Sequence, residues 1–339
     1  MPALSIQRAS LSLCAALLVL MAAPAQGPAS PVHHLIRIPV RDAVELEAVL
    51  RLELDLVRER ALELPLRALE VVAAESDLAR IRAAGFTWDV LIEDMERFYA
   101  GRLAALPAVL GPTPPFGSGS MGGYHTLPEV LALMDDLHRA FPAIVSARWS
   151  IGKSHEGRDL WAQKISDNVN VDEDEPEALF DAMQHAREPM GMELTFALMF
   201  WLAENYAKDA LATYLVNERE LFFVPVCNPD GYEHNRAIAP GGGGMWRKNR
   251  RDNGGGVYGV DLNRNWPYQW GGSGSSATPS SDTYRGPAAG SEPEVQALTA
   301  LILARSFTLG FTSHSYQDLL LRPWGYAALD PANAADYDM

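Results

Sequence analysis

His185 and Glu188 stand three residues apart in the run His185-Ala186-Arg187-Glu188. At that spacing both side chains project to the same side of one turn, so an imidazole nitrogen and a carboxylate oxygen can reach a single metal ion. Alone the spacing is a weak signal, because 8 His and 43 acidic residues in 339 give about one such pair by chance. Cysteine usage narrows the chemistry. Cys14 and Cys227 are too few for a thiolate zinc site, so any metal must use His and carboxylate. Arg247, Lys248, Arg250 and Arg251 form a basic run in a chain of formal net charge −15. That acidity argues against nucleic acid and anionic membranes as partners, and a local cationic cluster in it reads as an anion site more than as a solvated stretch.

The elements that must position these groups follow from periodicity. Residues 178–183 are apolar except for Asp181, the pattern of a strand covered on both faces, and they end just before His185. Residues 144–151, 160–165, 221–226 and 308–312 are further strand-like runs, and residues 190–206 form a largely apolar helix. Thr126 and Glu129, with Pro128, make a capping box that opens a helix carrying Val130, Leu133, Met134, Leu137 and Phe141 at helical spacing. Ser291 and Glu294 read as a second box, opening a helix to Ala304. Strands alternating with helices predict an α/β/α sandwich over a mixed, mostly parallel sheet. The acidic run 172–175 lacks the Gly-punctuated spacing of a calcium loop and reads as a solvated loop.

Upstream lie three smaller pieces. Residues 1–25 carry Arg8, an apolar run of about a dozen residues and Ala23-Pro24-Ala25, a signal-peptide pattern too short to span a bilayer. A secreted protein, periplasmic or extracellular, is the expectation. Residues 33–97 read as a small βαββαβ open sandwich with one strand unplaced, including a helix at 76–84 capped by Ser76. Residues 98–123, rich in Pro and Gly toward their end, read as a linker exposed to proteolysis. The α/β domain then occupies residues 124–339.

Seven motifs occur in order: His-Ala-Arg-Glu-Pro (185–189), Asn-Pro-Asp-Gly-Tyr (228–232), Trp-Arg-Lys-Asn-Arg (246–250), Asp-Leu-Asn-Arg-Asn-Trp (261–266), Tyr-Arg-Gly-Pro (284–287), Ser-Glu-Pro-Glu-Val (291–295) and Ser-His-Ser-Tyr (313–316). Together they resemble the zinc metallocarboxypeptidases, in the branch of carboxypeptidase A and carboxypeptidase T, from about Gly122 to Tyr326. The resemblance implies that His185, Glu188 and His314 bind one Zn2+, leaving a fourth position open. It implies that Asp261 orients His185, and that Asn263 and Arg264 clamp the C-terminal carboxylate of a peptide or protein substrate. Arg250 would stabilise the oxyanion, with Arg251 beside it leaving the register open, and Arg187 and Tyr316 would line the substrate groove. The first domain resembles that family's inhibitory propeptide, which implies a precursor and an activating protease.

One expected part is missing. The family's acid–base Glu lies near its C-terminal end, and no Glu follows His314 in residues 315–339. The side-chain selectivity pocket is expected downstream as well. A fragment of a longer carboxypeptidase, with a sheet edge left uncovered, is the leading expectation. The alternatives are a non-catalytic zinc or peptide-binding remnant and an enzyme that trims cell-wall peptides.

Overall fold

Residues 31–57, 68–105, 114–315, 320–326 and 330–333 are described by the structure, a computed structural model. The expected signal segment, Cys14 and Tyr316 lie outside them. The first domain runs β1 (His33–Pro39), α1 (Ala43–Leu50), β2 (Asp55–Leu56), β3 (Ala68–Ala74), α2 (Glu75–Ala83) and β4 (Asp89–Ile92). Asp42 starts α1 by accepting from the amides of Val44 and Glu45, both at 2.9 Å. The sheet order is β2-β3-β1-β4, with antiparallel neighbours throughout. This is the expected βαββαβ order, and β2 supplies the strand left unplaced.

The pleat assigns the two faces of that sheet. Ile36 and Ile38 of β1 and Leu69 and Val71 of β3 pack on Val49 of α1 and Ile81 of α2. The opposite face, through Leu35 and Val72, packs with Val57 and with Met245 of the second domain. Two expectations need correction. The N-cap of α2 is Ala74, not Ser76, because β3 runs straight into the helix and the Asp77 carboxylate accepts from the Ala74 amide at 3.1 Å. The first residues of the expected linker are helical, since α3 (Met95–Ala105) extends well past residue 97 and buries Met95 in the interdomain cluster.

The second domain contains α4 (Leu127–Ala140), β5 (Trp149–Lys153), β6 (Asp159–Ile165), β7 (Glu177–Ala182), α5 (Pro189–Asn205), α6 (Ala210–Asn217), β8 (Glu220–Val224), α7 (Pro229–Ile238), α8 (Pro293–Ala304) and β9 (Phe307–Ser313). Its strand order is β5-β6-β8-β7-β9. The β5–β6 and β6–β8 pairs are antiparallel, and β8–β7 and β7–β9 are parallel. The sheet is therefore mixed, with the parallel pairs on the side that carries the metal-ligand motif.

Thr126 caps α4, its amide donating to Glu129 Oε2 at 2.7 Å, as the box predicts. The second expected box has a different outcome. Glu292, not Ser291, is the N-cap of α8, and its carboxylate accepts from His155, Asn249 and Arg251 instead of capping the helix. Apolar residues on successive turns of α5, including Met192, Phe196 and Met199, pack with Met134 of α4 on one face of the sheet through Leu221 and Phe223. Each such fully buried side chain contributes roughly 1.5–3 kcal/mol. Phe222 and Val224 point to the other face and meet Leu298 of α8. That alternation along β8 makes the α/β/α layering. Among the described strands β9 has β7 as its one neighbour, and its Leu309 and Phe311 are each 38% exposed.

Candidate metal centre

Strands β7 and β9 run parallel in a register that sets Ala182 opposite Ser313. His185 and His314 therefore leave the carboxyl ends of adjacent parallel strands, the usual location of a site in a sheet of this kind. Close packing holds the two ends together. A Cβ on Gly191, in the first turn of α5, would lie 2.9 Å from the Ser313 carbonyl oxygen, so only glycine fits there without movement.

His185 Nδ1 lies 2.8 Å from Glu188 Oε1 and 3.0 Å from His314 Nδ1, and His314 Nδ1 lies 2.9 Å from Glu188 Oε2. Two imidazole nitrogens and a carboxylate facing one point form a donor set suited to zinc. The separations approach the edges of roughly 3.3 Å expected around an ion with bonds of about 2.0–2.1 Å. His185 and Glu188 are buried, whereas the His314 side chain keeps 30% exposure, so the cluster is reached from one side. Burial alone would raise the Glu188 carboxyl. The charges and hydrogen bonds of His185 and His314 outweigh it and hold the group well below the usual carboxylate range.

The neighbouring motifs frame this cluster. Asn228 caps α7 through the Gly231 amide at 3.0 Å and donates its side-chain amide to the Gln184 carbonyl at 3.2 Å. Gly231 must lack a Cβ, which would sit 2.5 Å from the Lys248 carbonyl oxygen and 2.7 Å from Ala186 Cβ. Asp230 is fully buried and takes bonds from the Ser154 hydroxyl, the Glu156 amide and Arg158, fixing the loop that faces Arg250. Asp261 lies 3.2 Å from His185 Nε2 and also starts the 3-10 turn Leu262–Arg264 by accepting from the Asn263 amide at 3.0 Å.

The arginines divide into two groups. Arg187, whose side chain keeps 8% exposure, is hydrogen-bonded to Asp55 of the first domain, with Asp282 3.8 Å from Nη1. Arg247, which is buried, has Nη1 3.4 Å from Asp55 and 4.0 Å from Glu188. Thus a carboxylate on β2 reaches both guanidinium groups beside the ligands. Arg250 is half-buried, stacked over Trp246 and Tyr258 with Glu156 at 3.8 Å, whereas Arg251 pairs with Glu292. Arg264 donates Nε to the Gly274 carbonyl at 2.8 Å and Nη1 to the Asn263 carbonyl at 3.2 Å. Asp55 and Arg247 are the residues that motif reading did not single out for a role. Asp55 had a usable signal, because Leu52, Leu54 and Leu56 alternate with Glu53 and Asp55 in a strand pattern.

Comparisons with known proteins supply the family. The sequence profile of the family described as zinc carboxypeptidase matches residues 130–339. Carboxypeptidase A2 of Mus musculus is 32% identical over 310 residues, covering 88% of this chain and 70% of the relative. The zinc carboxypeptidase of Saccharothrix mutabilis subsp. capreolus is 38% identical over 207 residues, covering 60% of this chain and 46% of the relative. The crystal structure of carboxypeptidase A from Helicoverpa armigera superposes with a TM-score of 0.74 at 26% identity, over 90% of this chain and 75% of that one. The chain spans only part of the length of these relatives. It belongs to the zinc carboxypeptidase family.

Proposed function

We propose that the protein containing these 339 residues is an exported, zinc-dependent carboxypeptidase that releases C-terminal residues from peptides and proteins and is made as an inactive precursor. The observation that carries this reading is the convergence of His185, Glu188 and His314 within 3.0 Å, with Asp55 of the first domain seated on the flanking Arg187 and Arg247. Zinc, when bound by the three ligands, supplies a Lewis acid that polarises a peptide carbonyl and makes water nucleophilic near neutral pH. The remaining work belongs to side chains. Arg264 and Asn263 hold the terminal carboxylate, for which a planar guanidinium is well shaped. Arg250 donates to the oxyanion from a pocket where two aromatic rings fix its orientation. In the precursor, Asp55 satisfies Arg187 and Arg247 and its strand covers the approach, until a protease cuts between the domains.

The test is stoichiometric zinc binding together with release of C-terminal amino acids by the complete protein after removal of the first domain. One zinc per chain, lost in H185A, is the expected result. Folded protein that takes up no zinc contradicts it. A second reading, a zinc-dependent binder of free C-termini, would use the same three ligands without turnover. Peptide binding without turnover in the complete, processed protein would select it. Parallel assays on protein C-termini and cell-wall peptides decide the substrate class, and protein C-termini are expected.

A further inference from the structure

Asp261 is fully buried, and its two oxygens are engaged on opposite sides. Oδ1 lies 3.2 Å from His185 Nε2 and accepts from the Asn263 amide. Oδ2 accepts from Arg247 twice, from Nε at 3.0 Å and Nη2 at 2.9 Å. The main chain of Arg247 is tied to the same place, since its carbonyl accepts from the Ala186 amide at 3.0 Å. Arg247 therefore grips the His185 turn by its backbone and the carboxylate behind His185 by its side chain.

We propose that Arg247 is a positioning residue for the metal centre: it fixes Asp261 so that the carboxylate accepts a hydrogen bond from the Nε2–H of His185, which keeps the proton on Nε2 and leaves the Nδ1 lone pair for the metal. The proposal rests on the reading of His185, Glu188 and His314 as zinc ligands. Its physical basis is tautomer choice. A neutral imidazole carries one N–H, and the partner of one nitrogen decides whether the other is free to ligate. Without Arg247 the Oδ2 atom would be buried with no donor, and the carboxylate would rotate toward other donors. His185 Nδ1 could then keep its proton and donate to Glu188, 2.8 Å away, which removes two ligand atoms at once.

The contact of Arg247 with Asp55 makes a competing account available, in which the residue serves only the interdomain contact. Zinc affinity of the full chain, measured by competition with a chromophoric chelator, separates the two, with the absorption spectrum of the cobalt-loaded chain as a second readout. R247Q is expected to bind zinc about 10–100-fold more weakly, as for other groups that orient a metal-bound His. R247K is expected to be weakened less, because one ammonium cannot place the paired N–H groups of a guanidinium on Oδ2. D55N should leave affinity unchanged, and R247Q should add nothing in a D261N background. A folded R247Q with wild-type affinity and cobalt spectrum overturns the proposal, as does equal weakening in D55N. If R247Q does not fold, wild-type affinity and spectrum in R247K overturn it instead. A wild-type chain that binds no zinc overturns both this proposal and the metal-centre reading.

Discussion

Asp55 and Asp261 are buried carboxylates on the same guanidinium, and they act in opposite directions. Asp261 lies in the same α/β part as Arg247, whereas in the proposed precursor Asp55 would leave with the first sheet. On that proposal, removing the Asp55 carboxylate weakens only the contact between the two parts. Truncating one side of a buried charge pair across an interface costs about 2–5 kcal/mol. D55A should therefore let the uncut chain bind a peptide with a free C-terminus at least roughly 30-fold more tightly than wild type, measured by calorimetry. Equal affinities would show that Asp55 does not guard the groove. Of the proposed ligands, His185 and Glu188 gave only a weak spacing signal, and His314 entered through the resemblance of the ordered motifs. Arg247 was not legible, because a buried, paired arginine and a solvated one have the same letter, and only the burial of Asp261 distinguishes them.

At the scale of elements, the site depends on two strand ends held in register. Strands β7 and β8 were readable as apolar runs because both faces are covered. The helices α6 and α7 were not anticipated. Helix α7 is mostly polar, begins at Pro229, and buries Asp230, Tyr232 and Asn235 through hydrogen bonds more than through apolar periodicity. Its Asn-Pro-Asp-Gly-Tyr motif was recognisable as a motif, yet its function as a clamp on the Gln184 carbonyl and the 154–158 loop is visible only in three dimensions. The α8 box failed as a sequence rule because the N-cap falls on Glu292, one residue later, and the Ser291 hydroxyl donates to Glu292 Oε1 instead of capping the helix. Gly191 gives the element-scale prediction. G191A must push β9 away from α5, because its Cβ would meet the Ser313 carbonyl oxygen at 2.9 Å. Overpacking of this kind costs typically 1–3 kcal/mol. We expect lower thermal stability and weaker zinc binding together in G191A. Unchanged zinc affinity would show that His314 is placed independently of that contact.

At the scale of the whole molecule, the first domain is held by ion pairs as well as by the cluster around Met245. His33 begins β1 and faces Glu96 of α3 at 2.6 Å and Asp282 of the second domain at 3.4 Å, with Arg187 close enough to oppose its charge. Burial lowers its pKa, but hydrogen bonding to Asp282 and Glu96 prevails and raises it to about 9. A raised histidine pKa stabilises the folded contact fully below its unpaired value near 6.5 and loses that contribution as pH rises through about 9. The first domain, once nicked from the second, should dissociate more readily at pH 10 than at pH 7 through loss of the His33–Asp282 contact, Glu96 staying with His33, and H33Q should flatten the difference. Dissociation followed by size-exclusion chromatography checks this, and a wild-type profile flat across that window would refute it. The Pro- and Gly-rich stretch is a visible break in the sequence between the two sheets, whereas the contacts that join them were not legible, because they link residues more than 200 positions apart, as Glu53 and Thr283 show.

The central claim is that His185, Glu188 and His314 hold one zinc ion. Anomalous diffraction at the zinc edge on crystals of the zinc-loaded chain tests it most directly. The account predicts a single strong peak about 2.0–2.2 Å from His185 Nδ1, His314 Nδ1 and a Glu188 oxygen. A peak bound elsewhere, or no peak in crystals in which these three side chains are ordered, would contradict it.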